Sequence, residues 1–149
     1  MNWNRDKSVL LSKGCVGLFT LIWLAGCIGA PWLGRVLLDF GGKPEGQLPY
    51  FLAVIYLGAV PAAGALWELW QLLGRISRGA VFVPDNVRSL RRLSWYCLSG
   101  GILCLVGGFF FWSLCLVGVA ALFIALILRV VKNVFAEAVA IKEENDFTI

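Results

Sequence analysis

Histidine is absent from the 149 residues, and charged side chains make up only 15% of them. With no histidine there can be no Ser-His-Asp arrangement, and both the commonest metal ligand and the usual neutral-pH proton switch are missing. The five cysteines (Cys15, Cys27, Cys97, Cys104 and Cys115) show no paired metal-ligand spacing and all fall in apolar runs. That pattern excludes a zinc site and suits reduced cysteines used as small packing residues. Carboxylates are also scarce, 9 against 13 lysines and arginines, and Glu68 alone lies within an otherwise apolar stretch. No carboxylate pair and no phosphate-cradling loop are present, and Ser99 in "CLSGG" has no base near it. An enzyme is not expected, nor a cofactor or a metal. Missing too is any polar stretch long enough for an independent soluble domain.

What is present is apolar: 60% of the residues, with a mean hydropathy of +0.82. Such a balance points to a single polytopic membrane domain over residues 1–149. A secretory signal fits poorly, because further apolar spans follow the first. Three runs carry no charge: Gly14 to Gly34, Gly46 to Trp67, and Leu93 to Leu128. Each of the first two matches the roughly 20 residues needed to cross about 30 Å of hydrocarbon. The third is long enough for two crossings, and its middle, "GGFFFWS" (Gly107 to Ser113), suits an interfacial turn. The expected fold is all-α, a four-transmembrane-helix bundle with spans near 12–34, 48–73, 86–109 and 112–132. A helical extension and tail at 133–149 would follow. One very long helix over the third run is the rival reading.

Basic residues set the expected orientation. Arg5, Lys7 and Lys13 precede the first span, and Arg75, Arg78, Arg88, Arg91 and Arg92 lie between the second and third. Arg129, Lys132 and Lys142 follow the fourth, whereas the other side holds only Arg35 and Lys43. The positive-inside rule places both termini and the arginine-rich loop in the cytoplasm, among anionic headgroups.

Local signals refine the spans. "PWLGRVLLDF" suits a brief interfacial helix over Arg35 to Phe40, and Pro61 predicts a kink in the second span. Asp85 or Asn86 is placed to cap the third helix. Past Arg129, apolar residues recur at Val130, Val131, Val134, Phe135, Ala138 and Ile141, an amphipathic helical period that ends in the tail "ENDFTI".

Three constellations stand out. Cys97, Gly100, Gly101, Cys104, Gly107 and Gly108 give the third span a small face. Matching small stripes are Gly118, Ala121 and Ala125 on the fourth span and Gly58, Ala62 and Ala65 on the second. Small faces let helices touch in lipid, within one chain, across a homo-oligomer seam, or around a lipid. Glu68 needs a partner inside the membrane, with Arg129 expected first and Arg92 second; a proton or cation site is the functional alternative. Arg88, Arg91 and Arg92 sit at helical spacing with Trp95 and Tyr96. They suit a topological anchor, or a docking face for an acidic partner or for this chain's own Glu143, Glu144 and Asp146.

"FVPDNVRSLRRLSW" and "VFAEAVAIKEENDFTI" together resemble the YoaS-like family of small bacterial integral membrane proteins, a domain-of-unknown-function group. Asn86, Arg88, Leu90, Arg91 and Arg92 match its loop motif. Phe135, Ala138, Glu144, Asp146, Phe147, Thr148 and Ile149 match its terminal one. The resemblance implies four membrane helices and a cytosolic helix-turn-helix regulator of the Cro type as partner.

The expectation is therefore a non-enzymatic, multi-pass protein of the bacterial cytoplasmic membrane with no direct nucleic-acid contact. Its partner-binding residues would be Asn86, Arg88, Arg91, Arg92, Glu143, Glu144, Asp146, Phe147, Thr148 and Ile149. A small-solute transporter or lipid-binding membrane protein using Glu68 and Pro61 is the alternative, and a structural subunit of a larger complex is a third.

Overall fold

The computed structural model describes residues 3–148; Ile149 and the side chains of Trp3, Asn4, Arg5 and Asp6 lie outside the described residues. Four helices account for nearly all of it: α1 (Trp3–Phe40), α2 (Leu48–Ser77), α3 (Pro84–Gly108) and α4 (Trp112–Phe147), with one 3-10 turn at Glu45–Gln47. Helices α1, α2 and α4 are each long and apolar enough to cross a membrane. Their large apolar side chains mostly face outward: Ile28, Leu116 and Trp112 are 81%, 77% and 86% exposed. A water-soluble fold buries such residues, so this is the surface expected of a protein solvated by lipid.

Helix α3 is polar over its first half, where Asp85, Asn86, Arg88, Ser89, Arg91 and Arg92 cluster. It is also the central helix, packing on α2 on one side and α4 on the other. Of these side chains Asn86 and Ser89 are buried against protein, where they can be satisfied, while Asp85, Arg88, Arg91 and Arg92 remain exposed.

Each helix packs on its neighbour in sequence. Among the described residues α1 makes close backbone contact with α2 but not with α3 or α4, and α2 makes none with α4. The arrangement is a curved row of four helices, with no close backbone contact between α1 and α4 among the described residues. The long uncharged run does break into two helices. Helix α3 ends at Gly108, Phe109 to Phe111 form the turn, and α4 starts at Trp112, so the single very long helix is excluded.

Two glycines make the other reversals possible. Gly42 (φ 60°) and Gly79 (φ 84°) adopt the left-handed region just past α1 and α2. At each end the following backbone donors turn back onto the last carbonyls: Gly79 to Ile76 and Ala80 to Arg75, Gly42 to Asp39 and Lys43 to Leu38.

Several local expectations are corrected. The brief helix at Arg35 to Phe40 is not separate, because α1 runs unbroken through Pro31 to Phe40. Pro31 cannot donate to the carbonyl four residues back, that of Cys27, and the Tyr56 hydroxyl of α2 donates to it instead at 3.2 Å. The freed acceptor is satisfied, so the proline does not end the helix. Helix α2 also contains Pro61 within one continuous helix, where a kink and not an end was expected. Neither Asp85 nor Asn86 caps α3 by its side chain: Val83 is the N-cap and Pro84 opens the first turn, where a missing N–H costs nothing. The helical extension expected past residue 132 runs to Phe147, and Thr148 Oγ1 donates to the Glu144 carbonyl at 2.6 Å.

Candidate functional site

The most elaborate chemistry lies at the end of the fold that carries the α2–α3 loop, here called the basic end. On α2, Glu68, Gln71 and Arg75 share a face at three- and four-residue spacing; on α3, Asn86, Ser89 and Arg92 do the same. The two faces meet as a polar ladder. Arg75 Nε donates to Asn86 Oδ1 at 2.7 Å, Nη1 to Gln71 Oε1 at 3.3 Å, and Nη2 to Ser89 Oγ. Asn86 Nδ2 donates to the carbonyls of Ala80 and Val81, at 2.8 and 2.7 Å, and so holds the loop in shape. The Arg75 charge also lies in the last turn of α2, where the helix dipole favours a cation. Asn86 is wholly buried. It organises the loop from within and presents nothing to a partner, which corrects its assignment to a binding face.

One turn deeper, Arg92 Nη1 meets Glu68 Oε1 at 3.0 Å, with Glu68 buried and Arg92 largely exposed. The expected first partner, Arg129, is therefore wrong. Both arginines lie at the basic end, but α4 packs on α3 and not on α2, out of reach of Glu68. Glu68 Oε2 has no hydrogen-bond partner, so the carboxylate depends on Arg92 alone. Arg92→Ala is expected to destabilise by about 2 kcal/mol by stranding a buried charge. Glu68→Gln should cost less than about 1 kcal/mol, and adding it to Arg92→Ala should restore most of the loss. Reversible unfolding in mixed detergent micelles measures all three; equal costs for the two single variants would refute the assigned pair.

Arg129 instead lies over the Trp95 ring, 5.0 Å from its centroid. With Arg91 and Lys132 it lines a groove of about 390 Å³ between α3 and α4, together with Ser94 and Asn133. Ser94 Oγ itself is used, donating to the Ala125 carbonyl at 3.0 Å across the α3–α4 seam.

The remaining expected partner residues are spread out. Arg88 is exposed and paired with Asp85 at 3.1 Å on its own helix. Glu143, Glu144, Asp146 and Phe147 are exposed on the last turns of α4. Among the described residues none of those acids pairs with Arg88, Arg91 or Arg92. A continuous helix carries Glu144 roughly 18 Å beyond Lys132. Docking of the tail on the arginines of the same chain is thus not made.

The small face of α3 divides into two uses. Gly101, Gly107 and Gly108 are buried, Gly101 and Gly108 against α4: a Cβ on Gly101 would lie 3.1 Å from the Gly118 carbonyl, and one on Gly108 would meet Cys115 Sγ. Cys97, Gly100 and Cys104 instead face a cavity of about 460 Å³ bounded by all four helices. Gly58, Ala62 and Ala65 of α2 line the same space, so this second pair of small stripes leaves a void where close packing was expected. Contact between α2 and α3 is made at Gly64, on which the Tyr96 ring rests.

At the opposite end Lys43, from the α1–α2 connection, donates to the Phe110 carbonyl and lies 4.4 Å from the Phe111 ring centroid. Tyr50 stacks on Phe110 at 5.6 Å. Sequence reasoning missed Lys43, Gln71, Arg75 as a ladder centre, and Ser89. The i, i+3, i+7 spacing of Glu68, Gln71 and Arg75 was the available signal. Among the described residues no cluster of metal ligands exists.

No curated protein and no solved structure matches the chain. The model of one family covers residues 23–149, from the middle of α1 to the C-terminus, and so takes in the polar ladder, the basic groove and the cavity. On that match the chain belongs to the family described as Protein of unknown function (DUF2975).

Proposed function

We propose that the protein crosses the bacterial cytoplasmic membrane four times, with both termini inside, and serves without catalysis as the membrane partner of a cytosolic protein. The fourth crossing is supported by the place of α3. It joins α2 and α4 through short turns and lies antiparallel to both, with Asn86 beside Arg75 at one end and Gly107 beside Val54 at the other. The cationic residues gathered at the basic end support its cytoplasmic placement.

One observation carries the partner reading. Helix α4 is about 54 Å long, leaving roughly 24 Å beyond a 30 Å hydrocarbon layer. That extension leaves Val134 and Ile141, seven residues apart on one face, exposed beside Glu137 and Glu144 at its edge. An apolar row edged with acids is how a helix docks in a partner's groove. The YoaS-like resemblance implies a helix-turn-helix regulator as that partner.

The test has two arms. A reporter enzyme fused after Ile149 should be active only in the cytoplasm; periplasmic activity would reverse the orientation. A photo-crosslinking residue at Ile141 should capture a helix-turn-helix regulator from intact cells, and capture of no soluble protein there removes the partner.

A second reading, binding of a lipid or small apolar solute, is favoured by the cavity. Its volume falls in the roughly 300–1,000 Å³ range of ligand sites, its walls are almost wholly apolar, and Trp23 on its lining has a buried Nε1 donor with no acceptor. Pro61 lines it, while Glu68 lies outside it, held by Arg92.

A further inference from the structure

The groove between α3 and α4 at the basic end brings Arg91, Arg129 and Lys132 together from two helices. Among the described residues no carboxylate engages any of the three. Charge this concentrated and unanswered is unfavourable unless an anion occupies the groove. Depth suggests which anion. The charge-free parts of both helices end here, α3 beginning its run at Leu93 and α4 ending its own at Leu128. Trp95, on the groove wall, is a residue that favours the headgroup layer.

Below Arg91 along α3 runs a line of outward apolar side chains at three- and four-residue steps: Trp95, Leu98, Ile102 and Val106. Three of them, Trp95, Ile102 and Val106, are more than half exposed. A cationic pocket standing directly above an apolar track is the complement of an amphiphile with a phosphate head.

We propose that this groove binds an anionic phospholipid, its phosphate held by Arg91, Arg129 and Lys132 and one acyl chain lying along Trp95, Leu98, Ile102 and Val106. Basic pockets between membrane helices recognise such headgroups through charge and hydrogen bonds. A soluble phosphate or an acidic protein segment would use the cations but has no use for the track beneath them. The inference rests on the membrane-crossing part of the proposed function and not on its cytosolic partner. Arg91 serves both readings, whereas Arg129 and Lys132 serve only this one.

The test uses the full-length protein in a neutral detergent with equal amounts of dioleoyl phosphatidylglycerol and dioleoyl phosphatidylcholine, read by native mass spectrometry. Retained phosphatidylglycerol should exceed phosphatidylcholine by about tenfold, the scale expected when several cations meet one headgroup. R129Q/K132Q should bring the ratio close to one, while R78Q/K142Q, which removes as much charge elsewhere, should leave it unchanged. No preference in the unaltered protein overturns the site, and that result needs no variant to fold. So does a preference that survives R129Q/K132Q. Displacement of the lipid by equimolar glycerol 3-phosphate would assign the groove to a soluble anion, and displacement by a hexaglutamate peptide to an acidic protein segment; either removes the lipid. A periplasmic reporter with the lipid preference intact would overturn the orientation and leave this site standing.

Discussion

Replacing Asn86 by alanine is expected to cost about 3 kcal/mol, enough to lower the amount of folded protein in the membrane several-fold. Two loop carbonyls, of Ala80 and Val81, lose their donor, and Arg75 Nε loses its acceptor at 2.7 Å. Each polar group left unpaired in a buried setting costs roughly 1–3 kcal/mol, and a charged one lies at the upper end. Because Asn86 is wholly buried, water cannot replace what is removed. Asn86→Asp keeps an acceptor for Arg75 but offers the carbonyls no donor, so it should fall between the two. Arg88→Ala, two residues on and exposed, should change stability by less than about 0.5 kcal/mol. Unfolding midpoints in mixed micelles compare all three. If the Asn86 and Arg88 variants behave alike, the loop does not depend on the ladder.

A comparable loss is expected at the α3–α4 seam. A Cβ on Gly118 would lie 2.9 Å from the Gly101 carbonyl and 2.9 Å from the Leu105 side chain. The first obstacle is backbone, which cannot rotate aside, so the helices must separate. Gly118→Leu is expected to destabilise by about 3 kcal/mol, at the top of the usual cost of overpacking. Separation would also strain the Ser94 hydrogen bond to the Ala125 carbonyl two turns away. Gly14→Leu, where a Cβ meets nothing within 4 Å, should be close to neutral. Both are checked by folded fraction and by monodispersity. Loss of self-association with folding intact would instead place Gly118 in an interface between copies.

Much of this architecture could be read from residue order because charge and glycine report directly on where a helix must stop. The paired glycines and aromatic block at Gly107 to Ser113 break the longest uncharged run, and the helices part there. What a linear chain does not carry is which neighbour a helix face meets. Glu68 and Arg129 both lie toward the basic end, and only the packing of α4 on α3 and not on α2 rules their pairing out. Small residues are equally silent: Gly118 and Gly58 look alike in sequence, yet one holds two backbones together and the other borders a void. Asn86 sits where capping residues sit, and its burial depends on how the loop folds over it. At Pro31 a missing donor is visible in sequence, while the hydroxyl that compensates comes from Tyr56, 25 positions on.

The curved row of helices has a consequence for biogenesis. Among the described residues every close interhelical backbone contact joins helices consecutive in the chain, so on the proposed four-span topology each new helix would find its partner already delivered as it leaves the translocon. No early segment has to wait for a late one, and little chain need search for distant contacts. Helix α1, whose close helix–helix contacts among the described residues are with α2, lies at the margin of this order. Damage to it should spread no further than α2 and leave the later hairpin to assemble by itself.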